Sequence, residues 1–439
     1  MKSLSLGILL TIIALQICSY GYSQTNEEGY QSFQFNFFPP GVRAMAMGGA
    51  FIGLADDASS AYYNPAGLMI LNKAEISLAS TLARNKTIVA REPDVFSTGK
   101  LTSVESDWGG GPLYVSFVVP FENVCLGIYY SNIALSGNEL ILYYARPVPG
   151  TSYVAPPVED HFDFDNTTLS MAISSKLSDF IYIGATINYV MSSIESHIIY
   201  HNINPNDYHD ITQETLFELS SDSTQNGKIG FILGALLMPI KNLSIGFVYN
   251  YTPNLDYTQS KWVPDRIIGI NMNDDIHLSL NVPDRLGIGV AFRPNGELVI
   301  VADVVYTMYE QLTEKMISSF DGSNGIKRGD DISGLFKAPN VAEIHFGLEY
   351  ALLTGETPLF VRAGMFINPS HRIRFTGEST TGIEPYLWNL SDYSNDIIDP
   401  EIAFSGGAGI HLGNNFKIDI AYYASYVHKS FMLSVGYEL

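Results

Sequence analysis

Phe431-Met432-Leu433-Ser434-Val435-Gly436-Tyr437-Glu438-Leu439 closes the chain in strict alternation. Successive side chains of a strand point to opposite faces. Phe431, Leu433, Val435, Tyr437 and Leu439 therefore share one face, and Met432, Ser434, Gly436 and Glu438 the other. Just upstream, Phe416, Ile418, Ile420, Tyr422, Ala424 and Tyr426 oppose Lys417, Asp419, Ala421, Tyr423 and Ser425. Leu243, Ile245, Phe247, Tyr249 and Tyr251 oppose Ser244, Gly246, Val248, Asn250 and Thr252. In 298–309 the even positions are apolar or aromatic, and Asp303 and Thr307 mark the other face. A half-buried soluble sheet gives the same alternation, so a single strand does not decide the class.

The number of strands and the lengths of their connections do. Fourteen segments qualify: 74–84, 111–120, 124–135, 166–176, 181–200, 228–239, 243–252, 276–293, 298–309, 341–352, 357–368, 400–411, 415–426 and 431–439. Short turns at Phe121–Asn123, Leu177–Phe180, Ile240–Asn242, Pro294–Glu297, Leu353–Glu356 and Leu412–Asn414 alternate with long connections at 85–110, 136–165, 201–227, 253–275, 310–340 and 369–399. Only 427–430 is short on the long side. Outer-membrane barrels have this asymmetry, with short periplasmic turns and long external loops. An even strand number returns both ends of the barrel to the periplasmic side.

Composition agrees. The chain has 439 residues, 46% apolar, 12% aromatic and 16% charged, with 38 Gly and 27 Tyr. Ordinary soluble domains carry about 25% charged residues. This hydrophobicity excludes intrinsic disorder. The formal net charge of −21 argues against nucleic acid, which needs a basic face. No internal segment is long and apolar enough for a spanning helix: the strongest, Ile229 to Ile240, has 12 residues and is interrupted by Gly230 and Gly234. For an apolar, exported chain, a closed β-barrel is the remaining membrane solution.

Export is read from the first residues. Lys2 supplies a positive n-region, Leu4 to Ile17 an apolar run, and Gly21 and Ser23 the small side chains before a cleavage preceding Gln24. The apolar run is short for a membrane anchor. Ile17, where a lipoprotein signal needs a small residue, argues against lipidation at Cys18. Cleavage leaves Cys125 alone, so no intramolecular disulfide forms.

Residues 25–73 do not alternate. Phe37-Phe38-Pro39-Pro40-Gly41 reads as a turn, and Val42 to Ala55 mixes Ala, Met and Gly. Asp56 and Asp57 suit a helix cap, and Asn64-Pro65 ends that helix, because a residue before proline avoids the α region. Such an apolar segment would expose a greasy patch if it hung free. Folding into the lumen as a plug removes it. The expected organisation is a signal peptide (1–23), an N-terminal helical or irregular hatch (24–73) and an all-β, fourteen-stranded antiparallel transmembrane barrel (74–439).

Val42-Arg43-Ala44-Met45-Ala46-Met47-Gly48-Gly49-Ala50-Phe51, Ala55-Asp56-Asp57-Ala58 and Tyr63-Asn64-Pro65-Ala66-Gly67-Leu68 resemble the hatch of the long-chain fatty acid transporter (FadL/OmpP1/TodX) family. Val282-Pro283-Asp284-Arg285-Leu286-Gly287-Ile288-Gly289-Val290-Ala291-Phe292, followed by Val301-Ala302-Asp303, is similar to that family's barrel strands. The resemblance implies a fourteen-stranded barrel and passive import of hydrophobic compounds, long-chain fatty acids or aromatic hydrocarbons, with a hatch that shifts and a sideways exit near a kinked strand. It puts Asn64, Pro65 and Ala66 at the gate, with Gly48, Gly49 and Gly67 as hatch glycines. It does not carry over ligand-pocket residues. Leu439 departs from the usual terminal aromatic, with Tyr437 retained two positions earlier. The hatch also resembles a PorV-like barrel of type IX protein secretion, so a shuttle for secreted cargo is the alternative function.

Other features stay open or are set aside. Loop 136–165 is apolar, with Leu140, Ile141, Leu142, Tyr143 and Tyr144; it is either a strand extension or a landing site for a ligand. Acidic loop residues, among them Glu159, Asp160, Asp163, Asp165, Asp392, Asp396 and Asp399, are read as solvated tips, with cation bridging to lipopolysaccharide as the functional alternative. Tyr129-Tyr130 and Tyr422-Tyr423 suit interfacial girdles. His197 and His201 lack a third metal ligand, Gly48-Gly49 with Gly53 is only a fragment of a phosphate loop, and no GxSxG or Ser-His-acid set suggests an enzyme. Neither a cofactor nor a metal is expected. The expected partners are a hydrophobic ligand and outer-membrane lipid, including lipopolysaccharide. The sequence sets no oligomeric state.

Overall fold

The computed structural model describes residues 40–89, 102–105, 109–135, 140–142, 146–147, 154–155, 158–203, 211–263, 272–317, 329–352, 357–369, 371, 374–376, 400–413, 415–426 and 428–439. The signal segment and residues 24–39 lie outside them.

Fourteen strands form the wall: β1 (Glu75–Val89), β2 (Gly109–Pro120), β3 (Val124–Leu135), β4 (Val158–Ser178), β5 (Ile181–Ile203), β6 (Ile211–Ile240), β7 (Leu243–Tyr251), β8 (Arg285–Phe292), β9 (Leu298–Thr307), β10 (Val341–Leu352), β11 (Leu359–Asn368), β12 (Glu401–Leu412), β13 (Phe416–Ala424) and β14 (His428–Glu438). Each pairs antiparallel with the next, and β14 returns to β1 from Glu75↔Glu438 to Asn85↔His428. Closure leaves no sheet edge to expose backbone donors to lipid.

The alternation read from the sequence becomes an outside and an inside. On β14, Phe431, Leu433 and Val435 are exposed, whereas Ser430 and Met432 are buried. On β9, Val304 and Tyr306 face outward, and Val301, Asp303 and Thr307 inward. Two girdle assignments do not hold, because adjacent residues of a strand cannot share a face. Tyr130 and Tyr422 are exposed, but Tyr129 and Tyr423 are each only 2% exposed and point into the lumen.

One predicted strand is two. Residues 276–293 divide at Asn281-Val282-Pro283-Asp284, where Pro283 has no N–H to donate to a ladder. Arg285–Phe292 belongs to the wall. Met272–Leu280 pairs instead with Leu255–Val263 in a hairpin standing above β7 and β8, and that hairpin joins β6 through Glu218↔Trp262. The connection read as the loop 253–275 therefore holds a strand. Strands β4, β5 and β6 run 21, 23 and 30 residues, well beyond the roughly 9–11 that cross a bilayer. Their outer ends rise past the membrane. Residues 140–142 form a short strand against Val158–Asp160, so that part of loop 136–165 has the strand-extension form. Tyr143 and Tyr144 lie outside the described residues, as do Asp392, Asp396 and Asp399.

Inside the ring runs the segment from Pro40 to Leu71. It folds as α1 (Val42–Ala46), a chain of turns, α2 (Ser60–Tyr63) and a 3-10 helix (Pro65–Ile70). Ala44, Met47, Ala50, Phe51, Leu54 and Tyr63 pack with Ala291 and Val301 of the wall. The lumen is therefore filled by chain rather than open. No helix among the described residues is long and apolar enough to cross a membrane.

Candidate functional site: the plug, its seat and two cavities

The plug meets the wall backbone to backbone. Lumen-facing positions on seven strands are glycine: Gly184 on β5, Gly234 on β6, Gly246 on β7, Gly289 on β8, Gly347 on β10, Gly364 on β11 and Gly407 on β12. At each, a Cβ would collide with the plug or with side chains beside it. At Gly234 it would overlap Asn64 and lie 2.9 Å from the Pro65 ring, and at Gly347 it would stand 2.5 Å from Met47 Cβ. Strand β9 has a carboxylate in this belt instead. Asp303 accepts from the Phe51 and Ile52 amides at 2.5 and 2.7 Å, satisfying donors that the turn leaves without partners.

Asn64 ties plug to wall directly. Its Nδ2 donates to Ile52 O at 2.9 Å and to Ala235 O of β6 at 3.1 Å, while its Oδ1 accepts from Ala66 N at 3.2 Å and so caps the 3-10 helix. Pro65 and Ala66 lie against Gly184. Asn64, Pro65 and Ala66 are therefore together, at the seat on β5 to β7. Beside them the β5–β6 ladder is unbroken from Tyr189↔Ile229 to Ile181↔Leu237. Gly48 and Gly49 have positive φ, 70° and 79°, which turns the chain after α1. Gly67 packs onto Ala55. Asp57 Oδ1 accepts from Ser59 N and Oγ at 2.8 and 2.5 Å, holding the entry to α2, whereas Asp56 turns away to arginines.

Below the seat, toward the short turns, lies a charged floor. Arg43 grips Glu349 of β10 with two bonds of 2.8 Å and reaches Asp56 at 2.5 Å. Arg362 of β11 holds Glu349 and Asp419, both at 2.6 Å, and Arg293 reaches Asp56 at 3.1 Å. Lys417 joins Glu75 and Glu438 at 2.9 and 2.6 Å. All of these except Arg293 and Glu438 line a polar cavity of about 230 Å³. Burial pushes the Asp57 carboxyl up to about 6, against the pull of the neighbouring Arg43.

Above the seat lies a smaller, mainly apolar cavity of about 100 Å³, walled by Met45, Ile52, Val248, Val305 and Phe366, with Tyr62, Tyr63 and Tyr309. The polar groups at its edge are Asn250, Arg285, Glu343, His345 and Asn368. His345 Nδ1 donates to Gly48 O at 2.8 Å, and Thr307 Oγ1 donates to Glu343 at 2.9 Å. Arg285 Nη2 donates to Tyr62 OH at 3.5 Å. Two layers thus face each other across the plug: a greasy one outward, a salt-bridged one inward.

One irregularity of the wall lies at plug height. Between Ser80↔Leu113 and Leu82↔Gly110, two residues of β2, Gly111 and Pro112, oppose the single Thr81 of β1. Pro112 has no amide hydrogen to offer a ladder. The other register shifts lie beside short turns or in the outer parts of β5 and β6. Tyr423, at the rim of the upper cavity, is in register with Ser430, and Ser430 with Ala83. The break is therefore two strands from the cavity.

Sequence reasoning missed the belt, Asp303 as an anchor and the Arg43–Glu349–Arg362 chain. A signal existed: glycines recur at inward parity on strand after strand, and β9 has an acid at that parity. No three His, Cys, Asp or Glu side chains converge as a metal site among the described residues. His197 lies 3.2 Å from Glu218.

A closed, plugged, lipid-faced β-barrel is the architecture of an outer-membrane transport protein. The chain belongs to the outer membrane protein transport protein (OMPP1/FadL/TodX) family, whose model matches residues 29–370. It is an outer-membrane protein, and the family transports hydrophobic small molecules as channels rather than enzymes. Among solved structures it is similar to a Pseudomonas aeruginosa FadL homologue, with 16% identity, a TM-score of 0.59, and 95% of this chain and 99% of that one covered. It is similar to the CymD monoaromatic hydrocarbon channel at 14% identity and TM-score 0.58, covering 92% and 98%. The Ralstonia pickettii toluene transporter TbuX gives 14%, 0.56, and 94% and 98%. At these identities the likeness is one of fold. No curated protein matches the chain. The family match and these structures give no support to the alternative of a type IX secretion shuttle.

Proposed function

We propose that this chain is a passive outer-membrane transporter of hydrophobic small molecules, fatty acids or aromatic hydrocarbons, in which the plug is the gate and the ligand leaves sideways into the bilayer. The observation that carries this reading is the stacking of an apolar cavity over a charged floor in one closed wall. A hydrophobe entering the upper cavity gains about 25 cal/mol per Å² removed from water. Going straight down, it would have to strip Arg43, Glu349, Arg362 and Asp419 of their partners, and breaking a buried pair costs about 3–5 kcal/mol. The bilayer is the cheaper destination.

The break at Gly111-Pro112 is the proposed exit, because fewer ladder bonds need to part there than elsewhere at that height. Asn64, Pro65 and Ala66 act as the plug's hinge seat. Gly48, Gly49 and Gly67 let it fit closely. The apolar loop with Leu140, Leu142, Tyr143 and Tyr144 makes first contact with the ligand, and the acidic external loops face lipopolysaccharide. The reading includes removal of residues 1–23 on export.

Hydrogen exchange tests the gate. With the purified protein in lipid nanodiscs, adding oleate or toluene should speed exchange at the Phe51 and Ile52 amides, which Asp303 holds. Unchanged exchange at saturating ligand would count against a moving plug. Pro112→Val, which gives β2 a donor, should slow uptake several-fold without reducing insertion; unaltered uptake would put the exit elsewhere.

A further inference from the structure

Tyr63 OH, Asn250 Oδ1 and Asn368 Oδ1 are buried atoms with no hydrogen-bond partner among the described residues. Their side chains all line the upper cavity, and the three residues are 7, 9 and 6% exposed. Buried polar atoms normally find partners, and an orphan is costly. Three around one apolar cavity form a constellation that a ligand would complete. All three are neutral. Of the charged groups nearby, Glu343 takes the Thr307 hydroxyl and faces His345 Nε2 at 3.7 Å, and Arg285 reaches Tyr62.

Building on the transporter reading, we infer that this cavity selects a hydrophobe of single-ring size bearing one neutral hydroxyl, a phenol or benzylic alcohol, over both a bare hydrocarbon and a carboxylate. A hydroxyl donates to an asparagine Oδ1 and accepts from Tyr63 OH, so it satisfies both kinds of orphan. A hydrocarbon leaves them dry. A carboxylate has acceptors only and leaves both asparagine oxygens without a donor, and Arg285 in the same lining offsets the negative charge it brings beside Glu343. Size sets an upper limit: the cavity is about 100 Å³, smaller than an engineered apolar cavity of about 150 Å³ that accepts benzene, so a single ring is the most it takes. Sites built to bond a hydroxyl reject the analogue lacking it far more strongly than apolar pockets discriminate by size.

The test uses the full chain in phosphatidylcholine nanodiscs, with calorimetric binding of p-cresol, toluene and benzoate corrected for empty discs. p-Cresol should bind at least tenfold more tightly than toluene, and benzoate most weakly. Tyr63→Phe, which removes only the hydroxyl, and Asn250→Leu should each weaken p-cresol about tenfold and leave toluene unchanged or tighter. Folding of the variants is checked by heat-dependent gel mobility. Toluene or benzoate binding as tightly as p-cresol overturns the inference, whatever the variants do. So does an equal loss for p-cresol and toluene in both variants. If cells expressing the protein still take up toluene or oleate, the transporter reading stands and only the selectivity falls. If no ligand binds and uptake is also at background, both fall.

Discussion

At the residue scale, the plug is held by a few polar ties and by missing side chains. Arg43 is the strongest tie, bridging α1, Asp56 and Glu349. Arg43→Ala should leave the barrel folded but loosen the plug, read as higher ion conductance in planar bilayers; wild-type conductance would contradict its anchoring role. Gly234→Val would push a side chain into Asn64 and Pro65, and should lower the thermal midpoint of the plug while leaving strand content unchanged by circular dichroism. Asp57 gives a pH signature. Its folded value near 6 lies above the ordinary carboxylate value, so the seated plug holds the proton more tightly than the released one. That contribution is fully present below about pH 4 and is lost as pH rises through 6. Proteolysis of the plug should therefore be slower at pH 5 than at pH 7.5, and Asp57→Asn should flatten the difference. These ties were hidden in the sequence. Arg43 and Glu349 are 306 positions apart, and nothing in either one's neighbours announces the pair.

At the scale of elements, strand parity was legible because it is local. Period two puts Leu433 outside and Met432 inside whatever the rest of the chain does. It also corrects the reading of Tyr129 and Tyr423 as girdle residues, since each has an outward tyrosine beside it. What parity does not reveal is how a strand is used. Leu255–Val263 and Met272–Leu280 form a hairpin outside the ring, and the composition of 276–293 resembled a single long strand until Pro283 divided it. Lipid-facing positions should be intolerant of charge. Leu433→Arg is expected to cost about 2–4 kcal/mol if it lies near the bilayer midplane, seen as a lower fraction of the compact, heat-modifiable form; Leu433→Phe should be tolerated.

At the scale of the molecule, the low charged fraction and the glycines have separate causes. The wall spends its apolar residues on lipid, and many of its inward positions are small so that a folded segment can lie against it. Inside the barrel, charge gathers at the floor, with Asp303 in the belt and Arg285 and Glu343 at the upper cavity. In the proposed function, greasy cavity, seated plug and charged floor together make a route that is open to hydrophobes from outside and closed to straight passage through the barrel. The most direct test of that claim is accumulation of labelled toluene and oleate by a Gram-negative strain lacking its own importer and expressing this chain. The account predicts uptake well above the vector control for at least one of them, with the protein in the outer membrane. Background uptake of both by cells carrying correctly inserted protein would contradict it.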